Sequence, residues 1–237
     1  MTHLLNLLNS KKFKDCEITI ITNSSNKSIK EVLKNLNNKK VKIIYFASLN
    51  NFVLDNFLTK FFFHLLRPIL FFLSYFQMIK ILRNKNFDTI LANCGGFGNF
   101  RSEIAGIFAA KLLGYKNINL LVHHNYTKSR FWKPILKFIE IFLKYCVKNY
   151  IFVSYATKKS FLTNTRISKN YSNNMHVIHN GIALKKIGKK KIHFFKSKQR
   201  KINVGMLCRI EEYKGQIDLV EGFSRLPEKK NQGLKFF

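Results

Sequence analysis

The sequence predicts an α/β fold built on parallel sheets, and three observations carry that expectation. Short runs rich in Val, Ile, Tyr and Phe alternate along the chain with longer stretches of helical periodicity. Each helical stretch is long enough to return the chain across a sheet, which parallel pairing requires. At 237 residues and 46% hydrophobic, the chain has apolar material for one large core and part of a second.

The elements follow in order. Leu4 to Lys12 reads as a helix. Strands are expected at Glu17–Thr22 and Val41–Phe46, with a helical pattern between them at Lys27–Leu36. A long apolar helical region, Phe52–Arg83, leads to a strand at Phe87–Ala92 and a helix over Phe100–Leu113. Ile118–His123 is the most apolar strand candidate. The helix Phe131–Lys148, the strand Tyr150–Ser154 and the helix Tyr155–Leu162 follow. Met175 to Ile182 reads as a short strand, His176–His179, ending in an Asn180-Gly181 turn. The last pair is a strand at Ile202–Leu207 and a helix over Gly215–Leu226, and Gly233 to Phe237 resembles the opening of one more strand. Ligands of such sheets bind beyond the carboxyl ends of the strands.

Phe61 to Ile79 is almost long enough to cross a membrane. It holds Arg67 and Pro68, and a central Arg costs about 2.5–3.5 kcal/mol on insertion. The expectation is a helix pair broken near Pro68 and packed on a sheet, with an aromatic surplus suited to the surface of a bilayer. Lys and Arg number 42 against 12 Asp and Glu, a net charge of +30. That balance favours anionic partners, membrane surface or nucleic acid among them. The Lys residues are spread along the chain, as a background bias in composition would also leave them. Four Cys without C-x-x-C spacing fit free thiols in a reducing compartment. No secretory leader is expected ahead of Leu4.

Chemistry concentrates in the stretch from Val204 to Leu226. A short strand around Gly205 runs into Arg209, then Lys214 and Gly215 open a helix. The Arg fork can hold two phosphate oxygens, Lys adds a point charge, and the helix start offers free N–H groups and a positive dipole end.

This stretch, taken with the strand running into Asn180-Gly181, resembles the donor half of glycosyltransferase family 4. In that family an apolar strand reaches Asn-Gly, and Gly-Arg-Leu-x-x-x-Lys-Gly follows after a variable link. Arg209 and Lys214 keep the family's separation. Cys208 replaces its Gly, Ile210 its Leu, and Ala183 the Asp usually found after Asn-Gly. The resemblance implies a GT-B-like architecture. Residues 1–182 would form an acceptor-side Rossmann-like domain lacking its first strand, 183–201 a basic linker, and 202–237 the beginning of a nucleotide-sugar donor domain. The missing strand would be central, between Glu17–Thr22 and Phe87–Ala92, and an acidic motif would lie beyond Phe237. The activity implied is transfer of a sugar from a nucleotide-diphospho-sugar to a glycan or lipid-linked acceptor, with retention. Arg209 and Lys214 would hold the donor diphosphate, and Gly205, Asn180 and Gly181 would line the cleft or hinge. No metal and no resident cofactor is implied. The setting implied is cytoplasmic, with peripheral contact to an anionic membrane and no specific nucleic acid. The alternatives are an inactive fragment of such an enzyme and a basic module binding anionic membrane or nucleic acid.

The resemblance places an acceptor-side His at His124, just past the strand Ile118–His123, with His123 one residue away. A His there suits proton transfer near neutral pH, or simply caps a strand end. Asn93-Cys94-Gly95-Gly96-Phe97-Gly98 reads as a turn lining the same cleft, with Arg101 where a dinucleotide fingerprint would have its last Gly. Ser154 is expected to cap a helix, and Glu103 to sit in a helix's first turn. No G-x-S-x-G, metal-ligand spacing or paired carboxylates emerge from the sequence.

Overall fold

The computed structural model describes residues 8, 10, 13, 15–26, 29, 40–47, 57–97, 101–126, 132–167, 174–181, 202–204, 206, 208, 214–225 and 234–236. It is a mixed α/β protein with parallel sheets. The chain divides into two compact units, Met1–Ala183 and Leu184–Phe237. The linker expected at 183–201 lies outside the described residues apart from its boundary in that division.

In the first unit, β1 (Ile18–Asn23) pairs in parallel with β2 (Val41–Phe46), Ile18 opposite Val41 through to Asn23 opposite Phe46. The long helix α1 (Phe57–Leu82) follows. Then β3 (Ile90–Gly96), α2 (Ser102–Leu112), β4 (Ile118–His124), α3 (Lys133–Cys146), β5 (Asn149–Phe152), α4 (Tyr155–Asn164) and β6 (Met175–Val177) complete the unit. The last four strands form one parallel sheet in the order β3-β4-β5-β6. Right-handed crossovers in a sheet that grows in one direction put α2, α3 and α4 on the same face. The strands expected on either side of a missing central strand, β1 and β3, fall in different sheets. The second unit contains β7 (Ile202–Val204), α5 (Gln216–Ser224) and β8 (Leu234–Phe236), with β7 parallel to β8.

The main core lies between the four-stranded sheet and its helices. β4 is central and buries Ile118, Leu120, Leu121 and Val122. α2 buries Ile104, Ala105, Ile107, Ala109 and Ala110, because it packs on α1, α3, β3 and β4 together. Gly106 faces Met78 of α1. A Cβ there would stand 3.7 Å from Met78 Cγ. Phe161 of α4 is buried among Phe97, Tyr150 and Phe152, with ring centroids 5.0, 5.6 and 5.1 Å away. Glu140 is a buried carboxylate with both oxygens occupied. Tyr126 Oη donates to one at 3.0 Å and the Arg166 N–H to the other at 3.1 Å. Burial, and then Glu140, push the Tyr126 phenol well above its ordinary range.

Two sequence expectations need correction here. Pro68 does not break the long helix, which runs unbroken from Phe57 to Leu82. The ring removes one i→i−4 hydrogen bond, a cost of about 3 kcal/mol. Burial of Phe71, Ser74, Met78 and Leu82 downstream holds the helix together. Nor do Asn180 and Gly181 make a turn. They lie in exposed irregular chain beyond β6, and Gly181 does not take a positive φ. Ser154 caps α4 as expected, accepting the Thr157 N–H at 3.1 Å.

Candidate functional site

The carboxyl ends of β3 and β4 form one corner of the first unit. Their parallel register sets Asn93 opposite Leu121 and Gly96 opposite His124. The segment expected as a turn therefore remains strand as far as Gly96, and β3 runs over Ile90–Gly96 rather than Phe87–Ala92. Glycine at 95 and 96 leaves room that a side chain would fill. A Cβ on Gly95 would lie 3.7 Å from Arg101 Nη1, and one on Gly96 would lie 3.7 Å from Arg101 Nη2 and 3.6 Å from His124 Cβ. The Arg101 guanidinium thus lies over the glycine backbone, immediately ahead of α2. Its Nε is buried without a hydrogen-bond partner.

The two histidines differ in what they are free to do. His123 Nε2 is 2.7 Å from Asn93 Oδ1, a bond that fixes its ring. His124 is exposed at the strand tip, and its ring has no hydrogen bond to the described residues. A strand alternates its side chains, so the pair faces opposite sides of the sheet. His124 is the one placed to meet a ligand from solvent, beside Gly96.

Charge at this corner is positive. Arg67 of α1 is held below its ordinary range, first by burial and then by the neighbouring charge of Arg101. Among the described residues neither guanidinium makes an ion pair. Ser102 Oγ donates to Glu103 Oε2 at 3.4 Å in the first turn of α2. Cys94 is buried beneath the corner and donates to the Gly96 carbonyl at 3.0 Å. Burial, and next the charge of Glu103, push its thiol up to about 12. It stays a thiol at neutral pH and supplies no nucleophile.

In the second unit, Lys214 sits directly before α5, and Gly215 caps that helix in the left-handed region at φ 75°. Only glycine takes that conformation without steric cost. Gln216 Nε2 donates to Cys208 Sγ at 3.1 Å, tying the helix start to the segment after β7. Arg209 and Gly205 lie outside the described residues.

No family model, curated protein or solved structure matches this chain.

His123 and Asn93 therefore come together on one face of the sheet, and His124 stands on the other beside Gly96, with Gly95, Arg101 and Arg67 at the same corner. Asn180 and Gly181 lie beyond β6, two strands away from β4 in the sheet. Sequence reasoning missed the Asn93–His123 bond and the role of Arg67. Parallel pairing of two strands that both end in polar residues was the available signal for the first. Arg67 carried none, because its place depends on how α1 packs on α2. A separate concavity of about 350 Å³ lies at the opposite, amino-terminal ends of β3 and β4. Tyr115 Oη crosses to the Leu82 and Lys85 carbonyls there, at 3.1 and 2.6 Å. No described group among the chemistry-bearing residues above points to that end. Among the described residues no cluster of His, Cys, Asp and Glu could hold a metal ion.

Proposed function

We propose that the chain is a GT-B-like glycosyltransferase of the family 4 kind, acting on a nucleotide-diphospho-sugar with retention. The observation that carries this reading is the start of α5. Lys214 and a left-handed Gly215 open a helix between two parallel strands, β7 and β8. The helix N-terminus of such a βαβ unit offers free N–H groups and a positive dipole end suited to phosphate. The matched Arg209 and Lys214 would neutralise the leaving diphosphate as its charge grows in the transition state.

The corner at β3 and β4 supports an acceptor role. His124 suits hydrogen bonding to an incoming hydroxyl. Arg101 and Arg67 suit an acceptor that carries phosphate, as a lipid-linked sugar does. The setting is the cytoplasmic side of a membrane.

Calorimetric titration with a nucleoside diphosphate tests the donor half. Binding should weaken at least tenfold in Arg209→Ala and in Lys214→Ala, since a charge-assisted contact is worth about 1.5–3 kcal/mol. His124→Ala should leave that binding unchanged and reduce sugar transfer. Absence of diphosphate binding, or binding indifferent to both substitutions, would remove the proposal's main support.

A further inference from the structure

A helix on a soluble domain turns its apolar stripe inward. α1 has an inward stripe, Phe71, Ser74, Met78 and Leu82, seated towards α2. It also has an outward one. Phe61, Leu65, Ile69, Phe72 and Phe76 are all exposed and recur every three or four residues. The same stripe continues into exposed Lys80 and Arg83. From Phe61 to Arg83 it runs about 33 Å at the helical rise. Phe72 and Phe76 remain 59% and 63% exposed. Apolar patches this continuous are rare on monomers and mark an interaction surface.

α3 repeats the arrangement. Leu136, Glu140 and Leu143 are buried, while Ile135, Phe138, Phe142 and Tyr145 stand exposed along another face. α2 packs on both α1 and α3. Charge narrows the partner. α1 contains no Asp or Glu, and the one carboxylate of α3, Glu140, is buried with both oxygens bonded. Lys80, Arg83, Lys111 and Lys133 are exposed on or between these helices, in a chain of net charge +30. Apolar aromatic faces bordered by cations, without exposed acids, complement a bilayer with anionic headgroups.

The stretch Leu65–Leu82 is also apolar enough to cross a membrane, by length and composition. Its attachment to α2 argues against crossing. α2 connects two strands of a parallel sheet, and an open sheet drawn into hydrocarbon would leave backbone groups unsatisfied.

We infer that the outward faces of α1 and α3 form a surface that lies on an anionic lipid bilayer, with α1 in the plane of the interface. The inference is independent of sugar transfer.

Vesicle flotation of the full chain tests it, comparing phosphatidylcholine vesicles with vesicles that also contain phosphatidylglycerol. The chain should float with the anionic vesicles, less so in high salt. The double substitution Phe72→Ser/Phe76→Ser should weaken binding at least tenfold with an unchanged circular dichroism spectrum. Should that variant misfold, Phe138→Ser/Phe142→Ser on α3 reads out the same surface. No flotation with anionic vesicles would overturn the inference, as would flotation that survives both double substitutions. Self-association of the lipid-free chain, abolished by Phe72→Ser/Phe76→Ser and without vesicle binding, would give the face to a second copy and overturn it equally.

Discussion

Among the described residues the first unit holds two parallel sheets built from similar sequence, and they bury their strands very differently. β1 and β2 pair over six residues, yet every residue of β1 is only half-buried. β4 buries four of its seven residues. The apolar content is comparable: Ile-Thr-Ile-Ile in β1, Ile-Asn-Leu-Leu-Val in β4. The surroundings differ. β4 has a strand on each side and lies against α2 and α4. Among the described residues β1 has one partner strand, and its buried cluster comprises Leu8 and Ile29, with Ile18, Ile20 and Ile43 packed against it. Burial follows the number of neighbours a strand gains, not its own hydrophobicity.

The sharpest test of this contrast is Phe161→Ala. It empties a site enclosed by rings from β5 and from the chain after β3, and should cost about 3–5 kcal/mol in denaturant titration. A loss below 1 kcal/mol would mean that the four-stranded sheet is no better packed than its neighbour. Glu140→Ala should come next, at about 2 kcal/mol, because it leaves the Tyr126 hydroxyl and the Arg166 N–H without their acceptor. Glu140→Gln keeps one acceptor and should recover part of that loss.

Cys94 makes the contrast visible in pH. Its folded pKa is raised from 9.0 to about 12. Its contribution is therefore complete below pH 9 and is lost as pH rises from there towards 12. The slope is at most about 1.4 kcal/mol per pH unit. Cys94→Ala should flatten that part of the melting-temperature profile, and an unchanged profile would refute the assignment. The smallest effect is expected in the other sheet. Ile20→Ala should cost about 1 kcal/mol, half the burial value of such a side chain. In hydrogen exchange it should speed the amides of β1 and β2 and leave those of β4 unchanged. Equal acceleration in both sheets would show that they open as one.

Much of the fold was legible because apolar runs and helical periods are local signals. Val41–Phe46 is bounded in the structure as the sequence bounds it. β8 falls on the residues that resembled an opening strand. The failures share a cause. Gly95 and Gly96 read as a turn, since nothing local reveals that this segment pairs with the end of β4. Pro68 read as a break, since the packing that holds α1 together comes from α2, a helix encoded later. The candidate site was legible in part. The polar end of β4 announced His123 and His124, whereas the choice between them needed Asn93, 30 residues away. The outward stripe of α1 was visible only as surplus hydrophobicity until its facing was known.

In the four-stranded sheet, spatial order equals chain order: β3, β4, β5, β6. Each strand pairs with the one synthesised just before it, across a single helix. Register partners in successive strands lie 25–30 residues apart, which costs less loop-closure entropy than pairing across the whole unit would. During translation each new strand meets an edge already laid down, so the sheet grows by accretion from β3 with no late insertion into its middle. Among the described residues β3 pairs with no earlier strand, so the growth of this sheet starts from it.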